Sequence, residues 1–139
     1  MINAINSVVQ TVPAAGSVVF AGNGYVTGYS IRHTAGSSRF VINQPGVYLV
    51  QFIGNIALPT GGTVAPISVG LSVDGEVIAG TEAVYTPAAV EEFGNVTAAT
   101  LVQVYGCGGC GGNVSVAVVN TSGVPIDVDN ANLLIVRQL

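Results

Sequence analysis

The sequence contains no lysine and no tryptophan, and its only strongly basic side chains are Arg32, Arg39 and Arg137. Phosphate backbones are gripped by clustered Lys and Arg, so this chain is not read as a nucleic-acid binder. The same shortage argues against adsorption on anionic lipid. No apolar run reaches the roughly 18 residues that cross a bilayer as a helix. Residues 1–6 lack the basic and apolar regions of a secretory signal. The expectation is a chain that reaches an outer surface by cell lysis, by assembly inside a cell, or as part of a longer product. Helical composition is nearly missing: only Pro87 to Glu92 has it, enough for one turn with Pro at its first position. The 19 glycines also oppose long helices. Charge of either sign is sparse, at 7% of residues against about 25% in an ordinary domain, whereas half the residues are hydrophobic. Such a chain cannot cover its surface with charge. The expected remedies are an exterior of Thr, Ser, Asn, Gln and Gly, and cover by other protein.

Short β-branched runs separated by Gly, Pro and Asn fill the 139 residues, the pattern of one all-β sandwich or barrel. Strands are expected at 7–12, 17–21, 29–34, 39–43, 47–58, 67–73, 76–82, 95–105, 113–120, 126–129 and 132–138. Asp74-Gly75 lies between two apolar runs and predicts a two-residue hairpin, because both positions tolerate positive φ. Gln44-Pro45-Gly46 predicts a tight turn. Some runs alternate, as Ser68-Val69-Gly70-Leu71-Ser72-Val73 does, which suits one buried and one wet face. Others, Val47-Tyr48-Leu49-Val50-Gln51-Phe52-Ile53 and Leu133-Leu134-Ile135-Val136, are apolar on both faces. With no helices to cover the second face, a neighbouring subunit is the economical cover. Two or three buried side chains per strand, at about 1.5–3 kcal/mol each, would drive assembly.

The phrase Phe40-Val41-Ile42-Asn43-Gln44-Pro45-Gly46-Val47-Tyr48-Leu49-Val50-Gln51-Phe52 resembles one in the heads of complement-type and tumour-necrosis-factor-like proteins. There an aromatic strand turns into Gly-x-Tyr-x-x-x-aromatic. The phrase Leu71-Ser72-Val73-Asp74-Gly75-Glu76-Val77-Ile78-Ala79-Gly80-Thr81 resembles the hairpin of the bacterial branch, which includes the C-terminal domains of spore-surface collagen-like glycoproteins. The ending Asn132-Leu133-Leu134-Ile135-Val136-Arg137-Gln138-Leu139 is similar to the last strand that such heads set near a threefold axis. The resemblance implies a ten-stranded Greek-key jelly-roll sandwich over residues 17–139, assembled as a homotrimer with one sheet facing the axis. Residues 1–16 are then an N-terminal arm, available for attachment, or a first strand. The trimer-interface candidates are Tyr48, Val50, Phe52, Leu133 and Ile135. The chain has no Gly-x-y collagen repeat, and its insert at 106–112 matches no family motif.

Motifs that could carry chemistry are few. Cys107 and Cys110, in a Gly-rich segment, are read first as passive thiols or a local disulfide. They could also be half of a metal site lacking its second ligand pair, or a redox pair without the helix N-terminus that lowers a thiol pKa. His33 has no Ser/Asp constellation and reads as a partly exposed strand residue. Asp127 and Asp129 share a strand face and with Asn130 offer oxygen ligands for calcium, although a solvated strand edge is the plainer reading. Glu91-Glu92 does not form a glycosidase pair, and Gly22-Asn23-Gly24 and Gly61-Gly62 lack the strand-to-helix setting of phosphate loops. No catalytic residue, metal or cofactor is expected. Loops 58–65 and 81–93, with Tyr85 and Phe93, are the candidate ligand contacts. The leading expectation is a non-enzymatic structural protein: a homotrimeric knob on a phage virion, as capsid decoration or head fibre, contacting a capsid or fibre protein through the arm. The alternatives are the trimeric head of a bacterial spore (exosporium) or cell-surface protein, and a glycan- or protein-binding module.

Overall fold

Strand alternation, hairpin turns and long-range pairing account for almost the whole chain in the computed structural model, which describes residues 1–106 and 113–139. The strands are β1 (Ile2–Asn6), β2 (Gln10–Val12), β3 (Gly22–Val26), β4 (Ile31–Arg32), β5 (Phe40–Ile42) and β6 (Gly46–Ala57). They continue as β7 (Ile67–Val73), β8 (Glu76–Val77), β9 (Ala83–Tyr85), β10 (Gly94–Val104), β11 (Val114–Asn120) and β12 (Ile126–Arg137). No helix forms among the described residues, and the stretch from Pro87 to Glu92 turns without one.

Two antiparallel sheets result. The first runs β10-β6-β12-β1-β3, with β2 also pairing to β12; the second runs β4-β5-β11-β7-β8, with β9 also pairing to β7. The chain's first and last strands are therefore neighbours inside one sheet, the non-local pairing of a jelly roll. Between the sheets lies one core. Ile2 and Ala4 from β1, Tyr48, Val50 and Phe52 from β6, and Leu133 and Ile135 from β12 face Phe40, Leu71 and Val118 of the second sheet. Phe20 knits the layers, its ring meeting Phe40 edge-on at 5.4 Å and Phe52 at 6.5 Å. Each such aromatic pair adds about 0.5–1.5 kcal/mol beyond area burial.

The turn chemistry appears where the sequence places it. Asp74 (φ 52°) and Gly75 (φ 88°) occupy the left-handed region and join β7 to β8 through the pair Val73–Glu76. Expected strands 7–12, 29–34 and 76–82 pair only over Gln10–Val12, Ile31–Arg32 and Glu76–Val77, and three further features differ from expectation. The two expected strands at 126–129 and 132–138 are one strand, β12, whose register shifts between Asp129 and Asn132 as Asn130 (φ 50°) bulges out. Residues 17–21 form only isolated bridges, Ser17 to Val119 and Phe20 to Ser37. The neighbouring strand β3 is instead drawn from the Gly- and Asn-rich stretch Gly22–Val26, whose low β-propensity hid it. As for residues 1–16, left open as arm or first strand, Ile2–Asn6 is paired on both sides, to β12 and to β3.

Candidate functional site

The expected trimer-interface candidates, Tyr48, Val50, Phe52, Leu133 and Ile135, are each 0% exposed within a single chain. They face the second sheet, and the Tyr48 hydroxyl is engaged internally, donating to the Gln44 carbonyl at 2.9 Å. None of them can touch another subunit, so the candidate face is corrected by one residue of register. Side chains alternate strictly, and a strand apolar on both faces does not reveal in sequence which face looks inward.

The opposite face of the same strands is the exposed one. Across the first sheet, Leu101, Leu49 and Val136 form one row, and Ala99, Gln51, Leu134, Asn3 and Tyr25 form the next. Thr97, Ile53, Asn132 and Ile5 form a third. No acidic or basic side chain stands in these rows. Leu101 is 62% exposed, Tyr25 56%, Ile5 41% and Ile53 40%, a contiguous apolar surface of the kind that marks an interaction site. Its amides are mostly paired: Asn3 donates to Asn132 at 2.8 Å and Asn95 to Asn55 at 3.1 Å. Charge begins beyond the rows, at Asp129 across from Asn55 on one end, while at the other end Arg137 stands across from the inward-facing Tyr48. Arg137 is held there by the Pro45 carbonyl at 2.8 Å.

The two candidate ligand loops meet at one end of the sandwich. Glu91 (φ 62°) donates its backbone N–H to the Leu58 carbonyl at 2.8 Å, and its carboxylate accepts from the Thr60 hydroxyl. Tyr85 lies flat over Gly94, where a Cβ would fall 2.3 Å from its ring, and its hydroxyl donates to Glu92 at 3.0 Å. Desolvation first, and then the Glu92 hydrogen bond and charge, hold this phenol above its ordinary value. Phe93 is 41% exposed beside it.

His33 is tied into the packing. Its ring stacks on Phe40 with centroids 4.1 Å apart, and its two nitrogens meet the Asn23 side-chain oxygen at 2.5 Å and the Ser37 carbonyl at 2.8 Å. Asp127 accepts from the Thr11 hydroxyl at 2.6 Å, bracing β2 against β12. Among the described residues no three His, Cys, Asp or Glu side chains cluster closely enough to hold a metal ion. Cys107 and Cys110 lie outside the described residues.

One feature escaped the sequence reading. The outer face of the second sheet carries a shallow depression of about 1030 Å³, with Ser72, Ser115 and Ala117 as floor and Arg39 and Asp74 at its rim. Arg39 donates to the Ser115 hydroxyl at 2.5 Å, and Asp74 accepts from the Ser115 N–H at 2.9 Å. Its lining comes from four separate segments, so no local motif announces it.

No protein-family model and no curated protein matches the sequence. Among solved structures the chain is similar to Eiger TNF from S. frugiperda, with a TM-score of 0.69 and 15% identity over 99% of this chain and 92% of that one. It is also similar to murine APRIL, with a TM-score of 0.61 and 9% identity over 91% and 96% of the two chains. At these identities the likeness is one of fold, a tumour-necrosis-factor-like jelly roll.

Proposed function

We propose that the chain is a non-enzymatic structural surface module that works as a homotrimer. The observation that carries this reading is the charge-free apolar outer face of the first sheet, on β10, β6, β12 and β1. Covering the large side chains of that face gains about 25 cal/mol per Å² of apolar surface, and among the described residues no element covers it. A ring of three makes heterologous contacts away from its axis, whereas side chains on the axis itself meet their own copies. The tumour-necrosis-factor-like fold supports three as the number.

We further propose a virion surface as the address, with the trimer as a capsid decoration or head-fibre knob. The low-charge exterior rich in Thr, Ser, Asn and Gly supports a protein packed among others on a particle. Because β1 is built into the sheet, attachment through the N-terminal segment falls to residues 7–9, where Val8 is 71% and Val9 48% exposed. The head of a spore or cell-surface protein is the competing address. Light scattering on the purified chain should return three times 13.9 kDa. A monodisperse monomer at micromolar concentration overturns the assembly. Mass spectrometry of purified phage particles and of spores decides the address, and absence from the particles refutes the virion.

The meeting of loops 58–65 and 81–93 at Glu91 favours a second role, recognition of a glycan or protein at that end. Substituting Tyr85 and Phe93 by Ala should abolish any hit seen on a glycan array, and an array without hits removes the glycan version.

A further inference from the structure

The geometry points to Gln51 as the centre of the trimer contact, where three copies of its side-chain amide close a ring of hydrogen bonds about the threefold axis. This rests on the homotrimer reading above.

Gln51 lies midway along β6 and in the middle row of the exposed face. Leu49 and Ile53 flank it along the strand, and Ala99 and Leu134 flank it across the sheet. It is half-buried within this apolar ring. The other amides near it are each engaged in one bond, Asn3 donating to Asn132 and Asn95 to Asn55. Among the described residues Gln51 makes no side-chain hydrogen bond.

Any partner laid over this face takes the Gln51 amide out of water. Left unpaired there, its donors and acceptor cost free energy, so the partner must answer them with polar groups at that spot and apolar groups around it. A second copy of this chain carries that pattern. A primary amide is its own complement, with N–H donors on one side and a carbonyl acceptor on the other. Rotation by a third of a turn lets each Nε2–H donate to the Oε1 of the next copy, and after three steps the ring closes with no end left over. Nothing on the face attracts a charged partner, which leaves self-association as the match. A single polar group in an apolar contact penalises shifted or wrongly numbered assemblies, since those leave the amide unpaired. Gln51 therefore fixes register and number, and the surrounding Leu and Ile side chains supply the affinity.

The test compares the full chain with Gln51→Glu, Gln51→Lys and the control Val41→Glu, which adds the same charge to the outer face of the second sheet. Oligomeric mass is read by light scattering and the fold by circular dichroism. Expected results are trimers for the wild type and V41E at neutral pH, and folded monomers for Q51E and Q51K. On acidification below the carboxylate range Q51E regains the trimer, because its protonated side chain can again donate and accept. Q51K stays monomeric. A wild-type monomer overturns the homotrimer reading and this inference with it. A wild-type trimer with Q51E still trimeric at neutral pH, or with acid failing to restore it, overturns the central role of Gln51 and leaves the homotrimer standing. If Q51E does not fold, a trimeric Q51K overturns the inference and a folded monomeric one supports it.

Discussion

Asn120 offers the sharpest test of how this fold is held. It is 1% exposed at the end of β11, and the two N–H donors of its Nδ2 serve three carbonyls, one of them shared: Val12 at 3.1 Å, Pro13 at 3.2 Å and Val124 at 2.9 Å. Its Oδ1 accepts from the Ser122 N–H at 2.9 Å. One amide thus binds the β2 end and the turn before β12 to the second sheet. Asn120→Ala takes this partner from the Val12 and Val124 carbonyls and the Ser122 N–H, while the Pro13 carbonyl still accepts from the Gly16 N–H at 2.9 Å. Each such group costs about 1–3 kcal/mol if fully dry, but the turn at 122–124 can recruit water, so the expected loss is about 3 kcal/mol. Asn120→Asp keeps the shape and aims an oxygen at three oxygens. At neutral pH it should cost more than Ala, about 4 kcal/mol, a large share of the roughly 5–15 kcal/mol that holds an ordinary domain together. The two variants separate further with pH. The buried Asp favours its protonated form, so its folded-state pKa is raised. Its penalty is full above that pKa and shrinks as pH falls through it, because protonation restores a donor. The Ala penalty has no such relief. Urea unfolding at fixed protein concentration, since assembly couples to stability, reads both losses. If both variants lie within about 1 kcal/mol of wild type, the bridging role assigned to Asn120 is refuted.

Two further outcomes follow from close packing and from the loop end. A Cβ at Gly54 would lie 2.7 Å from the Phe52 ring, which is fully buried. Gly54→Ala should therefore lose about 1–3 kcal/mol by overpacking, visible as a lowered midpoint in scanning calorimetry. An unchanged midpoint would show that Phe52 has room to move. Glu92→Gln removes the charge beside Tyr85 and should shift one phenol titration downward in a spectrophotometric comparison with wild type. The shift should stop short of the ordinary value, because desolvation is the larger cause. Unchanged titration would place Glu92 away from the ring in solution.

Much of the scaffold is legible from residue order alone. Asp74-Gly75 announces its hairpin because only two positive φ values join such runs tightly. The runs at 47–58, 67–73, 95–105 and 113–120 announce strands because β-branched residues sit between turn formers. β1 and β3 are less legible: three of the five residues of Ile2–Asn6 are asparagine or alanine, and Gly22–Val26 is poor in strand formers. Both are held by neighbours remote in sequence, β1 by β12 and β3 by β1. The meeting of Glu91 with Leu58 and Thr60, and the depression beside Arg39, are likewise products of long-range pairing.

Residue order alone makes this protein all-β and poor in charge, with strands too apolar to be left uncovered. It also placed part of the exposed surplus on the strands around Val47–Ile53 and Leu133–Val136, but not the part that Leu101, Ile5 and Tyr25 add from β10, β1 and β3. Only the tertiary structure decided which side of those strands is the surplus. Tyr48, Val50, Phe52, Leu133 and Ile135 are core because the second sheet packs on them, and Leu49, Gln51, Ile53, Leu134 and Val136 are surface because no second layer of described residues does. The reason is the two-residue period of a strand. It makes every position one face or the other, but the choice belongs to the partner sheet, whose residues lie far away along the chain.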